Sequence, residues 1–313
     1  MTIRQPLVID CDPGHDDAIM LMLAVGCKLF DIKAVTISAG NQTQENTLRN
    51  ALRILTLVGE HPPVFRGCEK PLQRELIIAD FVHGKTGIDG TILPEPAFLP
   101  GVETAITALG RVIAAQEQPI TVVATGPLTN IAGFLLQFPH LAPKIEKIVL
   151  MGGSIGRGNY TPLAEFNIYV DPEAASIVFN AGIPIVMHGL EVTHQALFFA
   201  ADIELFRSIG NKSGRVVAEL VDFFSLFYRE HRPELGGGAA LHDPCTIAWL
   251  INPGMFQSKP CYVDIELTGK LTTGATVVDF YNLLKKPPNV EVVYGLNREA
   301  FISLLHDTVK TLP

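Results

Sequence analysis

The sequence predicts a single α/β domain with a mixed, mostly parallel central sheet flanked by helices. Short apolar runs rich in valine and isoleucine alternate with helical stretches, as in PLVID at 6–10 followed by a predicted helix from Asp16. Continuous apolar strands between helices are typical of a parallel sheet that is covered on both faces. The chain has 313 residues and is 48% hydrophobic, which is enough for one large core. We therefore expect one domain over residues 1–313.

The alternation continues along the first two thirds of the chain. The run FDIKAVTISAG precedes QENTLRNALRILTLVG, and PITVVATGP precedes LTNIAGFLLQ. The runs KIVLMGG and PIVMHGL have the same apolar character. In DPEAASIVFNAG, Asp171 suits a helix N-cap, Pro172 the first turn and Gly182 the helix end. Each pair predicts one strand and one helix.

The pattern changes in the last third. Residues from about 200 to 235 look helical and lead into GGG, so we expect a helical insertion there. The segment from about 261 to 281, CYVDIELTGKLTTGATVVDFY, predicts a β-hairpin.

The composition of the chain excludes several classes of binding partner. The net charge is −8, which is unlike the basic footprint of a nucleic-acid binder. The five cysteines are scattered without a CxxC pair, as expected of a reduced cytoplasmic protein. No signal peptide and no run of about 20 apolar residues is evident. We expect a cytoplasmic protein that acts on a small molecule, without nucleic-acid or membrane partners.

The stretch DCDPGHDDA at 10–18 crowds four carboxylates around a Pro-Gly turn. Ligands of parallel sheets bind beyond the carboxyl ends of strands, and Asp10 stands at the predicted end of the first strand. Asp16 and Asp17 alone would suit a helix N-terminus, but the helix dipole does not require Asp10 and Asp12 as well. Crowded carboxylates repel each other, and a hard cation removes that repulsion. Several carboxylates on one ion favour calcium over magnesium.

Two other functional classes share some of these features. A magnesium-dependent phosphatase of the haloacid dehalogenase type also has DxD after its first strand. It needs a further acidic pair late in the chain, whereas Asp243 in LHDPC stands alone. A non-catalytic nucleoside or sugar binder would share the architecture, but most such binders are exported.

Five segments in order resemble the nucleoside hydrolases, which are metal-dependent enzymes that cleave N-ribosidic bonds. DCDPGHDDA resembles the N-terminal signature of that family. The other four segments are TISAGNQT, VATGPLTNIA, VLMGGS with AEFNIYVDPEAA, and LHDPCTIAWL. The resemblance covers nearly the whole chain. It implies the nucleoside hydrolase fold with a Rossmann-like core, one Ca²⁺ per subunit, and a homodimer or homotetramer.

The resemblance also implies site residues. The metal ligands would be the side chains of Asp12, Asp17 and Asp243 and the main-chain carbonyl of Thr125. Asp12 would act as general base towards a metal-bound water, and Asp10 would brace the site. The ribose-binding residues would be Asp16, Asn41, Asn159, Glu165 and Asn167.

The base must leave as a poor anion unless it is protonated or strongly hydrogen-bonded, and histidine is a natural proton donor near neutral pH. His242 adjoins Asp243, and His83 lies in a segment that resembles the mobile loop of the family. Histidines at both positions resemble the bacterial pyrimidine-preferring branch. We therefore expect uridine and cytidine as substrates, with a purine-preferring or non-specific hydrolase as the alternative.

The predicted helix at 216–231 is expected to line the base pocket. Phe227, Tyr228 and His231 are the candidate contacts to the base. Trp249, the single tryptophan, is expected to pack in the core.

Overall fold

An eight-stranded sheet runs through the computed structural model, which describes residues 4–313. Residues 1–3, at the start of the predicted domain, lie outside the described residues. The strands are β1 Gln5–Cys11, β2 Phe30–Ile37, β3 Val64–Arg66, β4 Ile120–Ala124, β5 Ile145–Met151, β6 Ile185–His188, β7 Leu197–Phe198, β8 Ala239–Ala240, β9 Phe256–Cys261, β10 Val263–Ile265, β11 Thr276–Val278 and β12 Val290–Leu296.

The helices follow the strands in the predicted alternation. They are α1 His15–Gly26, α2 Gln44–Leu57, α3 Asp80–His83, α4 Ala105–Ala114, α5 Thr129–Gln137, α6 Phe166–Val170, α7 Pro172–Phe179, α8 Leu190–Thr193, α9 Ala200–Arg207, α10 Lys212–His231, α11 Pro244–Ile251 and α12 Arg298–Lys310. Short 3₁₀ turns lie at Pro139–Lys144, Pro233–Leu235 and Pro253–Met255.

The large sheet has the strand order β3-β2-β1-β4-β5-β6-β12-β9. All neighbours in it are parallel except β12 and β9. The predicted mixed, mostly parallel sheet is therefore confirmed. The strand order reverses between β1 and β4, so the carboxyl ends of these two strands form the crevice in which ligands of such sheets bind.

Helices cover both faces of the sheet, as the alternating side chains of β1 show. Leu7, Ile9 and Cys11 pack into the core on one face, with side chains of α1, α2 and α10. Val8 points to the other face and packs with side chains of α4, α5 and α7. The residues of β1 from Leu7 onwards are almost completely buried, which explains the uninterrupted apolar run in the sequence.

Local signals in the sequence mark helix starts better than helix ends. The Asp171 carboxylate accepts a hydrogen bond from Ala174 N at 3.0 Å, so it caps α7 as predicted. The helix ends at Phe179, before Gly182, which adopts a left-handed φ of 73° in the following turn. Helix ends depend on packing as well as on glycine, so this boundary is shifted.

The late region contains α9, α10 and an antiparallel pair formed by β10 and β11. These elements lie within 200–235 and 261–281; their description as insertions stays a prediction. None of the helices described over 4–313 is long and apolar enough to cross a membrane.

Candidate active site

Buried carboxylates form the floor of a pocket at the carboxyl ends of β1 and β4. One carboxylate oxygen from each of Asp16, Asp17 and Asp243 lies within 4.8 Å of the others. Asp16 and Asp17 come from the first turn of α1, and Asp243 directly precedes α11. All three are nearly inaccessible to solvent. Residues more than 220 positions apart in sequence thus meet at one point.

Asp12 lies beside this cluster and is completely buried. Its Oδ2 accepts a hydrogen bond from Asn41 N at 2.7 Å. Its Oδ1 has no hydrogen-bond partner within the described part of the chain. The predicted ligand set named Asp12 with Asp17 and Asp243, whereas the tight group of three contains Asp16. The contact with Asn41 N engages Oδ2 of Asp12, and Oδ1 is the oxygen left without a partner among the described residues.

Two glycines allow the chain to approach Asp12 closely. A Cβ on Gly40 would lie 2.1 Å from Asp12 Oδ2, and a Cβ on Gly126 would lie 2.6 Å from Asp12 Oδ1. Real side chains do not tolerate such distances. Glycine is therefore required in the SAGN and ATGP segments because the backbone there packs against a carboxylate.

Hydrogen bonds fix the orientation of Asp17 and Asp16. Asp17 Oδ2 accepts from Asn41 Nδ2 at 2.9 Å and from Gly14 N at 3.1 Å, and Asp17 Oδ1 accepts from Thr125 Oγ1 at 2.9 Å. Asp16 Oδ2 accepts from His242 N at 3.2 Å. The acids are held in place from several elements before any ligand arrives.

Burial makes the charged forms of these carboxylates costly. It raises the pKa of Asp16 to about 7, and burial together with the Asp17 carboxylate holds the pKa of Asp12 well above its usual range. Burial also raises the pKa of Asp17, and burial with the charge of Asp16 raises that of Asp243. A cation among them would reverse this effect. The all-oxygen donor set and the unpartnered Asp12 Oδ1 fit a hard metal ion.

Asp10 lies behind the acids at the end of β1. Its Oδ1 accepts hydrogen bonds from Thr36 Oγ1 at 2.5 Å and from Asn130 Nδ2 at 2.8 Å. Burial raises its pKa to about 7. Its contacts link three segments around the floor.

The residues predicted to hold ribose surround the same pocket. Asn41, Asn159, Glu165 and Asn167 all line it, with Asp16. Asn167 Nδ2 donates to Thr125 O at 2.8 Å, so it holds the main-chain carbonyl that was predicted as a ligand. Glu165 caps α6 by accepting from Asn167 N and Ile168 N. Burial raises the pKa of Glu165 to about 7.

Two histidines form part of the wall, and each contacts a second polar ring. His242 Nε2 lies 2.7 Å from Tyr228 Oη, and its Nδ1 lies 2.7 Å from Thr193 Oγ1. His83 Nδ1 lies 3.1 Å from the Nδ1 of His15. Burial lowers the pKa of both His83 and His242 well below the usual range. Both rings are therefore neutral at neutral pH.

The His15 ring stacks against the His83 ring, with a centroid distance of 5.3 Å. Its ring is completely buried and stacks on Phe223 and Phe224, with centroid distances of 5.2 and 5.4 Å. Its Nε2 donates to Asp89 O at 2.8 Å. A Cβ on Gly14 would lie 2.6 Å from His83 Nδ1, so Gly14 leaves room for the His83 ring.

The upper part of the pocket is aromatic. The rings that line it are Phe81, Tyr160, Phe166, Phe224, Phe227 and Tyr228, and Arg232 also lines it. The cavity encloses about 660 Å³ of space, its open mouth included. Polar acids below and flat rings above suit a ligand that combines a sugar with a planar base.

Comparison with known proteins decides the family. A model of the family described as "Inosine-uridine preferring nucleoside hydrolase" matches residues 7–303. This chain belongs to the nucleoside hydrolase family. The resemblance seen in the five segments is thereby confirmed, and the chain is a member of an enzymatic family of N-glycosidases.

Curated nucleoside hydrolases include close relatives. The chain is 54% identical to a "Pyrimidine-specific ribonucleoside hydrolase RihA" of Salmonella schwarzengrund, over 97% of this chain and 98% of that protein. It is 56% identical to a protein of the same description from Photobacterium profundum, again over 97% and 98%.

Solved nucleoside hydrolase structures share the fold. A purine-preferring ribonucleoside hydrolase from Gardnerella vaginalis superimposes with a TM-score of 0.91 at 30% identity, over 98% of both chains. A plant nucleoside hydrolase gives 0.91 at 32% identity, over 98% of this chain and 99% of that chain. A purine-preferring enzyme thus shares this fold.

Several wall residues of this nucleoside hydrolase were not found by sequence reasoning. Phe81, Tyr160 and Arg232 line the pocket, although no motif marks them. Of the three predicted base contacts, Phe227 and Tyr228 line the pocket. His231 is exposed and stacks on Phe227 outside it.

Trp249 has the core role expected of it. It is partly buried against the main core, and its ring does not line the pocket of the carboxylates.

Proposed function

We propose that this nucleoside hydrolase cleaves the N-ribosidic bond of pyrimidine ribonucleosides, uridine and cytidine, to give free base and ribose. One observation carries the proposal: a floor of buried carboxylates faces an aromatic wall across one pocket. The two relatives described above, each more than half identical to this chain, are both described as pyrimidine-specific. A purine-preferring or non-specific enzyme is the alternative, because one structural neighbour prefers purines.

The proposed cofactor is one Ca²⁺ per subunit. Asp17, Asp243 and the Thr125 carbonyl would hold it, with Asp12 or Asp16 completing the carboxylate set. Such an ion supplies positive charge that orients the vicinal hydroxyls of ribose and the attacking water. The sugar would be held by residues that line the pocket, namely Asp16, Asn41, Asn159, Glu165 and Asn167.

Asp12 is the proposed general base. Its Oδ1 is buried and free of hydrogen-bond partners among the described residues, and its Oδ2 is anchored on Asn41 N. A carboxylate with one anchored and one free oxygen is well placed to take a proton from water.

Tyr228 and His242 are proposed to serve the leaving base. Both side chains line the pocket, and His242 Nε2 contacts Tyr228 Oη. The contact with His242 orients the phenol, whose hydroxyl can hydrogen-bond the leaving base, so the two side chains act as one unit. His83 borders the pocket on α3 and is proposed to hydrogen-bond the base.

The cellular compartment and the oligomeric state are also proposals. We propose a cytoplasmic enzyme of nucleoside salvage that works as a homodimer or homotetramer. The five cysteines are all free thiols, which agrees with a reducing compartment. The oligomer is supported by the family resemblance alone.

A single assay tests the proposed reaction. Purified protein is mixed with uridine, cytidine, inosine or p-nitrophenyl phosphate, each with and without EDTA. Ribose release from uridine and cytidine that EDTA abolishes is expected. Faster release from inosine would move the proposal to the purine-preferring alternative. Phosphate release alone would support the phosphatase, and binding without product would support a non-catalytic binder.

A further inference from the structure

We propose that Arg74 and Glu173 are positioning residues of this site: their ion pair holds residues 75–83, which we call the wall segment, against the pocket. The inference rests on the proposed function. Arg74 lies in the long connection between β3 and α4, and Glu173 lies in the first turn of α7. Neither side chain lines the pocket, so the pair acts on a substrate only through the wall segment.

Arg74 and Glu173 form a forked ion pair. Arg74 Nε donates to Glu173 Oε2 at 2.8 Å, and Arg74 Nη2 donates to Glu173 Oε1 at 2.7 Å. Two parallel hydrogen bonds fix the direction of both side chains, which a single contact does not. The two side chains are only 32% and 17% exposed. The hydrogen bond from Arg74 lowers the pKa of Glu173, so the pair is charged at neutral pH.

The start of α7 also holds the backbone just before Arg74. Leu72 N donates to Asp171 Oδ2 at 2.9 Å, and Thr129 Oγ1 donates to the same oxygen at 2.7 Å. Asp171 is completely buried, and α7 packs into one of the two main cores. Residues 72–74 are therefore attached at two places to an element of the core.

The wall segment carries several pocket-lining side chains but has few hydrogen bonds of its own. Residues 75–79 adopt no regular secondary structure. Within residues 4–313, the next hydrogen bond that the backbone donates after Leu72 N runs from Ala79 N to Gly40 O, at 3.3 Å. The segment lines the pocket with Ala79, Phe81, Val82 and His83. The position of these side chains therefore depends on the ion pair at the start of the segment.

The apolar packing of the wall segment is limited. Ala79 shares a small buried cluster with Phe166 and Val170, outside the two main cores. Stabilisation by apolar burial grows with the area that is buried, so a cluster of three buried side chains holds the segment less firmly than a main core would. Packing alone does not replace the ion pair.

Loss of the pair should weaken substrate binding more than the chemical step. Without the pair, the wall segment occupies its binding position in only a fraction of the molecules, and the apparent affinity falls by that fraction. A bound nucleoside keeps the segment in place, so kcat changes little. The floor acids come from α1 and from the residue before α11. Free ribose, which has no base, should therefore bind as before.

The test compares Arg74→Gln, Glu173→Gln and the double variant. For each, we expect KM for uridine to rise about tenfold, as for a segment in place in about a tenth of the molecules, while kcat changes less than about threefold. Inhibition by free ribose should be unchanged. The double variant should be no worse than either single one, because each side chain acts through the other. Arg74→Lys should recover part of the loss, since it keeps the charge without the fork.

A second measurement does not depend on activity. Hydrogen exchange of the backbone amides of residues 75–83 should be faster in Arg74→Gln than in the wild type. The matched control is Arg49→Gln, which breaks an exposed forked pair with Glu95 away from the pocket. It should change neither KM nor the exchange of the wall segment.

Three results would overturn the inference: an unchanged KM with unchanged exchange, a loss confined to kcat, or additive losses in the double variant. A wild-type protein without activity on any nucleoside would instead refute the proposed function. In that case hydrogen exchange alone decides whether the pair holds the wall segment.

Discussion

The floor and the upper wall of the pocket are built in different ways. The floor acids are almost fully buried and are held by backbone, amide and hydroxyl donors in the segments that follow β1, β2 and β4 and that precede α11. The upper wall consists mainly of aromatic rings carried by helices, and some of them are exposed, as Phe81 is at 56%. The proposed reaction centre is thus anchored beside the sheet, whereas the proposed base-binding wall lies on elements that can vary without disturbing the floor.

The largest expected effect is at the floor. Asp12→Ala removes the proposed base and a carboxylate beside the metal site, so it should lose at least about 3 kcal/mol of transition-state stabilisation. The loss is measured as the change in kcat/KM with two substrates. One is uridine, and the other is p-nitrophenyl β-D-ribofuranoside, whose leaving group is already a stable anion. Both substrates should be affected equally, because the floor acts on ribose and water. Near-normal turnover would remove Asp12 from the mechanism.

The upper wall should respond in a substrate-dependent way. Tyr228→Phe keeps the ring but removes the hydroxyl that contacts His242. We expect a loss of about 2–3 kcal/mol with uridine and a much smaller one with the p-nitrophenyl riboside. Equal losses on both substrates would show that Tyr228 acts on the sugar or on the fold. That result would contradict the assignment of the floor to ribose and water and of the wall to the base.

Tight packing under the acids predicts a smaller change in stability. In Gly126→Ala the new methyl group would lie 2.6 Å from Asp12 Oδ1. We expect the free energy of unfolding to fall by about 1–2 kcal/mol, measured by chemical denaturation. Gly156→Ala is the control, since a Cβ there would meet no atom within 4 Å. Equal stability of the two variants would contradict the close approach at Asp12.

The smallest expected effect is the contribution of Glu165 to the pH dependence of stability. Burial raises its pKa to about 7, so between its ordinary value and pH 7 the folded protein keeps a proton that the unfolded chain has lost. Stability of the metal-free protein should therefore fall as pH rises, by about 1 kcal/mol between pH 6 and pH 8 from this group. Glu165→Gln should flatten that part of the denaturation profile. An unchanged slope would show that Glu165 is already ionised.

The floor could be predicted from the sequence because its signals are local. Four acids lie within DCDPGHDDA, and the apolar run before them places them at a strand end. The distant partner, Asp243, was found through the family resemblance alone. The parallel sheet was predictable for the same local reason, since buried strands read as unbroken apolar runs.

The upper wall could not be predicted in this way. The rings of α10 have the helical spacing of an ordinary core face, and Phe224 and Tyr228 are buried like core residues. Arg232 lies just past the end of α10, in a segment without a motif. Only the packing of α3, α10 and the segment around Tyr160 brings these side chains to one cavity.

The central claim is that the floor acids hold one hard cation, and calorimetric titration tests it most directly. Metal-stripped protein is titrated with CaCl₂, alongside Asp17→Asn and the control Asp31→Asn, whose side chain is exposed. The wild type and the control should bind one Ca²⁺ per chain with release of protons, and Asp17→Asn should lose that binding. Wild-type protein that binds no Ca²⁺, or an Asp17→Asn variant that binds it equally well, would contradict the account.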